Sequence, residues 1–249
     1  MATAVEDRAE TAPRFAPLLG RFALAGVVAG AASGLWALVV TERAIAPALA
    51  LEEARGSGHD HGHEELVSRS TQLVGGFLGT VFAAVVFSVV VAAVYAAVRH
   101  RLPGRTDAGR AAVLAAIGFG VFALLPAVKM PANPPAVGDP GTVGTRTAIY
   151  IAVLGAGVVT ALLVSAMVGT LRARGLHPSA VAAAGVLATV ALVAATVLLV
   201  PDNPDAIGAD VPAAVVWDFR LASLGQLAVL WTTLGLTAGY LVDRLARRG

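Results

Sequence analysis

The stretch 73-LVGGFLGTVFAAVVFSVVVAAVYAAV-98 runs for 26 residues without a charged side chain. About 20 apolar residues in a helix cross the hydrocarbon core of a bilayer, so this run is long enough to span one. Five further runs read the same way: 22–40, 111–128, 147–171, 181–200 and 221–242. Across all 249 residues 57% are hydrophobic and 14% charged, against roughly 25% charged in a soluble domain. A chain so poor in charge has too little polar surface to cover itself in water, and its solvent is lipid. The expected fold is an all-α integral membrane protein, a single membrane domain of six transmembrane helices arranged as three helical hairpins.

The stretch 46-APALA-50 resembles a signal-peptidase site. However, Glu6, Asp7 and Glu10 precede the first apolar run, and that run exceeds the roughly 7 to 15 residues of a signal h-region. The expectation is a retained anchor. Cysteine is absent, so disulfides and thiolate metal sites are excluded.

Basic residues collect in cytoplasmic connections, and their distribution orients the chain. With both termini in the cytoplasm, the inner segments hold 12 of the 18 basic residues and 5 of the 16 acidic ones, a net +7. The outer segments hold 6 basic and 11 acidic residues, a net −5. The overall charge of +2 thus describes orientation, not affinity for nucleic acid. Residues 1–21 form a cytoplasmic N-terminal segment and 243–249 a basic cytoplasmic tail, while three longer connections, 41–72, 129–146 and 201–220, face outward.

Two of these outer connections resemble each other. 131-PANPPAVGD-139 and 201-PDNPDAIGA-209 share the pattern P-x-N-P-x-A-[V/I]-G at a spacing of 70 residues. Each lies between two apolar runs, which predicts an internal repeat of the second and third hairpins, related by an axis along the membrane normal. Their prolines fix φ and remove donors, so stiff rims over the helix ends are expected, with Asp139, Asp202, Asp205 and Asp210 as their carboxylates.

The first outer connection carries 59-HDHGHEE-65, which holds three of the chain's five histidines. In an extended chain, residues i, i+2 and i+4 share a face, so His59, His61 and His63 can converge on one ion. Asp60, Glu64 and Glu65 can complete the shell. Imidazole suits divalent zinc, copper, nickel and cobalt, and magnesium and calcium ask for oxygen cages instead. The competing reading is a solvated polar tether. The remaining histidines, His100 and His177, fall in inner connections and are expected to face solvent.

No acid or base lies within the apolar runs as drawn, which removes the usual signature of a proton relay. Hydroxyls and the amide of Gln226 remain, and Gln226 is the candidate path-lining group. At the outer ends 217-WDFR-220 precedes the last run, where Trp217 is an interfacial anchor and Asp218 and Arg220 a candidate pair. The single lysine, Lys129, has no G-K-[S/T] context, so no phosphate loop is present. A divalent cation entering down 100 mV gains about 4.6 kcal/mol, twice the roughly 2.3 kcal/mol per charge, which is a driving force without ATP.

Three stretches together resemble the CbtA family of predicted cobalt transporter subunits: 59-HDHGHEE-65 leading into 69-RSTQLVGGFLGTVFA-83, the proline-rich loop after the third helix, and 212-PAAVVWDFRLASLGQLAVLWTTLGLTAGYL-241. The last carries Phe219, Arg220, Ser223, Leu224, Trp231 and Gly235 in the order of the family's terminal pattern. The resemblance implies an inner-membrane subunit of a prokaryote for uptake of cobalt(II), linked to cobalamin synthesis and paired with a small His-bearing subunit, CbtB. Relatives carry a glutamate and tryptophans in the loop after helix three, whereas this loop offers only Asp139.

The functional expectation is a non-enzymatic subunit for uptake of cobalt(II), or of nickel or zinc, with the ion as cargo and no covalent cofactor. Its partners are the lipid bilayer, a CbtB-like subunit and further copies of the chain, with no nucleic acid. The alternative is a non-transporting scaffold or metal-buffering accessory subunit. An intramembrane enzyme is disfavoured, because the helices lack His or carboxylate pairs placed for acid–base or metal chemistry.

Overall fold

A computed structural model describes residues 15–56, 68–135 and 137–246. Six helices are long and apolar enough to cross a membrane. They are α1 (Phe15–Arg55), α2 (Arg69–Val98), α3 (Asp107–Lys129), α4 (Val143–Ala173), α5 (Pro178–Leu199) and α6 (Ala213–Ala246). No strand occurs among the described residues.

The start signals are local. Ser68 caps α2 by accepting from Thr71 N at 3.4 Å, and Thr106 caps α3 through Gly109 N at 3.1 Å, each satisfying a donor that the first turn leaves over. α4 ends at Gly175, with φ of +75°. There Gly175 N donates to Arg172 O and Leu176 N to Leu171 O, the paired bonds of a Schellman ending. His177 then caps α5, which begins at Pro178, so four residues turn the chain.

Two boundaries differ from the expectation. The outer connection at 41–72 was expected to be loop from its start, but α1 continues through a π-helical segment, Ala37–Thr41, into a helical Glu42–Gly56. Alanine, leucine, glutamate and arginine dominate 42-ERAIAPALALEEARG-56, and these are strong helix formers despite Pro47. The signal-like 46-APALA-50 is therefore helical. Similarly, 217-WDFR-220 lies inside α6, because the helix begins at Ala213, just after Pro212, where a proline is tolerated.

The packing does not bear out the three-hairpin arrangement. α1 and α2 do form a packed pair, but α6 lies against both α1 and α3, and α4 pairs with α5. The C-terminal part of α3, from Gly120 to Lys129, is what meets α4 and α5. Glycines decide these pairings, as small residues do where lipid supplies no hydrophobic drive between helices. Trp231 of α6 seats on Gly118 of α3, Trp36 of α1 seats on Gly225 of α6, and Gly26 and Gly30 of α1 lie against α2 at Ser88 and at Val81 and Ala84. Nearer the start of α1, Phe22 meets Tyr95 with ring centroids 5.3 Å apart. At that end Tyr95 Oη donates to Asp107 Oδ1 at 2.7 Å, and Ala108 N donates to Asp243 Oδ1 at 3.1 Å. The similarity between the two proline loops thus has no counterpart in repeated helix pairing.

Large aliphatic and aromatic side chains such as Phe82, Leu187, Leu198 and Leu199 are exposed, the reverse of a soluble protein and the surface a bilayer would wet.

Candidate functional site: the proline-loop rim

The two proline-rich loops meet over the ends of α3, α4 and α5. Lys129 closes α3 and is nearly buried. Its ammonium donates to Val197 O of α5 at 2.9 Å and to Asp202 Oδ1 at 2.5 Å. A cation here sits over the carbonyl ends of two helices, where their dipoles favour positive charge.

Asp205, from the second loop, is held by the first. Thr142 Oγ1 donates to it at 2.5 Å, Asp139 N at 3.4 Å, and the Arg146 guanidinium pairs with it at 2.8 Å. The Thr142 hydroxyl is the largest cause of a carboxyl held below its usual range, with the Asp139 amide and Arg146 adding to it against the opposing effect of burial. Gly138 makes this closeness feasible. Its φ is +128°, and a Cβ there would meet both Arg146 and Asp205 at 3.1 Å.

A second clasp runs the other way. Arg220, on the first turns of α6, donates to Ala132 O at 3.1 Å and Asn133 Oδ1 at 3.0 Å. The expected Asp218–Arg220 pair is thus replaced by a contact to the loop after α3, because the helical start of α6 aims Arg220 at that loop. Farther along, Arg55 at the end of α1 pairs with Asp210 at 2.5 Å and lowers its pKa, and Arg69 pairs with Glu42.

Between the loops and α4 lies a cavity of about 340 Å³, lined by Met130, Asn133, Val137, Arg146, Tyr150 and Asn203 among others. Its polar groups are a thioether, two amide side chains, a phenol, the Thr147 hydroxyl and the Arg146 guanidinium.

Each sequence-named rim residue has a definite place. Asp139 Oδ1 accepts from Gly141 N at 2.7 Å and caps the short turn before α4. Asp205 and Asp210 are committed to arginines. Asp202 carries one contact to Lys129, yet its side chain is 94% exposed, against 63% for Asp210 and 0% for Asp205. Gln226 lies on α6 inside the bundle. Thr41, in the π-helical segment, donates to Gln226 Oε1 at 3.1 Å, Ser33 donates to Gln226 O at 3.4 Å, and Trp36 Nε1 donates to Ala222 O at 3.0 Å. Gln226 therefore stitches α6 to α1. His59, Asp60, His61, His63, Glu64 and Glu65 lie outside the described residues. Among the described residues no group of three or more His, Cys, Asp or Glu side chains is placed to hold a metal.

A family model described as "Probable cobalt transporter subunit (CbtA)" matches residues 15–243. The chain belongs to the CbtA family. No curated protein sequence and no solved structure matches it. The match covers all six helices and both proline loops, so the rim clasps lie within the family region of this CbtA chain.

Lys129, Arg146, Thr142 and Asn133 hold the rim together, and sequence reasoning gave them no role in the site. For Lys129 a signal existed, since a lone lysine at the end of an apolar run needs a partner. Thr142 carried none, because its carboxylate partner is 63 residues away in the chain.

Proposed function

We propose that this CbtA chain admits cobalt(II), or a chemically similar nickel or zinc ion, from the outer side of a prokaryotic cytoplasmic membrane whose inner side holds both termini. The imidazoles of His59, His61 and His63, with Asp60, Glu64 and Glu65, capture the ion. The acidic outer surface raises its local concentration. The rim then receives it, with the exposed carboxylate of Asp202 first and Asp139, Asp205 and Asp210 shaping the entrance through their clasps. Met130, Asn133 and Asn203 offer softer and neutral donors in the adjoining cavity. Gln226 and Arg220 hold the helices and loops that frame the way inward.

The observation that carries this reading is the family match along six membrane-length helices, with the rim cavity as its geometric support. A small His-bearing membrane subunit of the CbtB kind and further copies of the chain are the partners proposed with it, and cobalamin synthesis is the proposed destination of the metal.

The test is cobalt uptake at limiting metal by cells whose chain carries His59→Ala, His61→Ala and His63→Ala together. Uptake is expected to fall several-fold and to recover at high cobalt, where capture no longer limits. Unchanged uptake at limiting cobalt removes the capture role. Purified protein in liposomes that binds cobalt but passes none, even with a small partner subunit added, would favour the metal-buffering accessory reading instead.

A further inference from the structure

α4 and α5 are the least covered of the six spans, with 17% and 11% of an 18-residue apolar stretch buried in each. Between them runs a groove of about 650 Å³, lined by Val164, Val168, Leu176, Ala182, Gly185 and Val190 among others, with Arg172 at its mouth. The remaining lining is likewise small or aliphatic apart from Thr189.

Three observations fix what such a groove accepts. First, its length is that of one leaflet. From Pro178 to Val190 the α5 wall rises about 18 Å at 1.5 Å per residue, and half of a roughly 30 Å hydrocarbon core is about 15 Å. A partner's transmembrane helix would need a seam running the full thickness. Second, the mouth is positive and uncompensated. Arg172 lies in the last turn of α4 and Arg174 opens the connection to α5, no Asp or Glu occurs anywhere from 140 to 201, and no described acidic side chain pairs with either arginine. Third, the turn is stiff, since the Schellman ending at Gly175 and the His177 cap fix where Arg172 sits relative to the apolar walls.

We infer that this groove is a binding site for an anionic phospholipid, with one acyl chain between α4 and α5 and the phosphate-bearing headgroup on Arg172, supported by Arg174. Arginine suits a phosphate through its forked donors, and basic pockets between membrane helices accept such headgroups. The site is independent of the rim and of the metal carried, so it stands or falls apart from the proposed uptake function.

The experiment uses the full chain purified in detergent, titrated with phosphatidylglycerol or phosphatidylcholine of the same acyl chains, with native mass spectrometry counting bound lipid. Phosphatidylglycerol is expected to bind as a discrete adduct in preference to phosphatidylcholine. Arg172→Gln should weaken it about fivefold, the effect of one basic residue at an anionic surface, while Arg172→Lys should retain most of the preference. Gly185→Leu, which places a side chain in the groove, should weaken phosphatidylglycerol with both arginines intact. Equal binding of the two lipids overturns the proposal, as does indifference to Arg172→Gln or to Gly185→Leu. Inorganic phosphate that displaces the adduct no better than chloride supports a lipid ligand, and displacement at the lipid's own concentration would identify a free-phosphate site and overturn it. Circular dichroism of each variant shows whether the helices have formed.

Discussion

Asp205 is a carboxylate whose partners all come from the other proline loop or the start of α4. Thr142, the Asp139 amide and Arg146 hold its pKa below the ordinary carboxyl range, and Arg55 does the same for Asp210. A carboxyl whose pKa is lowered by folding contributes stability above its unfolded value, near 4, and loses it as pH falls through the lower folded value. Imidazoles of ordinary pKa near 6.5 become charged much earlier and then cease to ligate. At about pH 5, therefore, cobalt binding by the His tract should fall at least several-fold from its level at pH 7, while the rim clasp persists. Calorimetric cobalt titration beside the thermal unfolding midpoint checks this, and a parallel loss of both would mean that the carboxylate clasps, not the imidazoles, set the pH dependence. At this scale the sequence showed which residues carry charge but not which are consumed. Asp202 and Asp205 sit three residues apart in one loop, yet one is exposed and the other enclosed, because only Asp205 meets Thr142 and Arg146.

At the level of elements, the reciprocal seating of tryptophan on glycine joins α1 to α6 and α6 to α3. A Cβ at Gly118 would collide with the Trp231 ring, and one at Gly225 would lie 2.6 Å from Trp36. The Trp231 ring, backed by Phe87 and Phe122, and the Trp36 ring, tied by Nε1 to Ala222 O, have little room to yield. Gly118→Val and Gly225→Val should each destabilise the bundle by about 1–3 kcal/mol, the usual cost of overpacking. Gly155→Ala, where an added Cβ meets nothing within 4 Å, should be neutral or slightly stabilising, since glycine costs a helix roughly 0.5–1 kcal/mol relative to alanine. Thermal unfolding in detergent separates the two groups, and a Gly118→Val protein as stable as Gly155→Ala would refute the seating. The six spans themselves were legible, because a run of some 20 apolar residues is a local property. Their ends were less so. The helical extension past Thr41 follows from side-chain propensity with no apolar signal, and the π-helical segments at Ala37–Thr41 and Gly120–Leu124 left no mark in the pattern of apolar residues.

For the molecule as a whole, the charge asymmetry of the connections makes a prediction about sidedness. The chain has no cysteine, so His61→Cys creates a single thiol. A membrane-impermeant maleimide applied to intact cells should label it, and a cysteine at Arg174 should react only after the membrane is opened. The reverse pattern would invert the orientation and remove the import reading, while leaving the lipid groove untouched.

The sequence by itself determined the solvent, the number of spans, the acidic and basic sides and, through its resemblance, the family, because hydrophobic length, charge placement and motif order are written residue by residue along the chain. Tertiary structure alone decided that α3 pairs with α6 and α4 with α5, that the rim aspartates are mostly spent on clasps, and that an apolar groove between α4 and α5 has Arg172 in its lining. Those outcomes depend on which small residue faces which ring, and on carboxylates meeting partners 59 or more positions away, and in a chain made largely of alanine, valine and leucine many pairings look equally apolar until shape selects one.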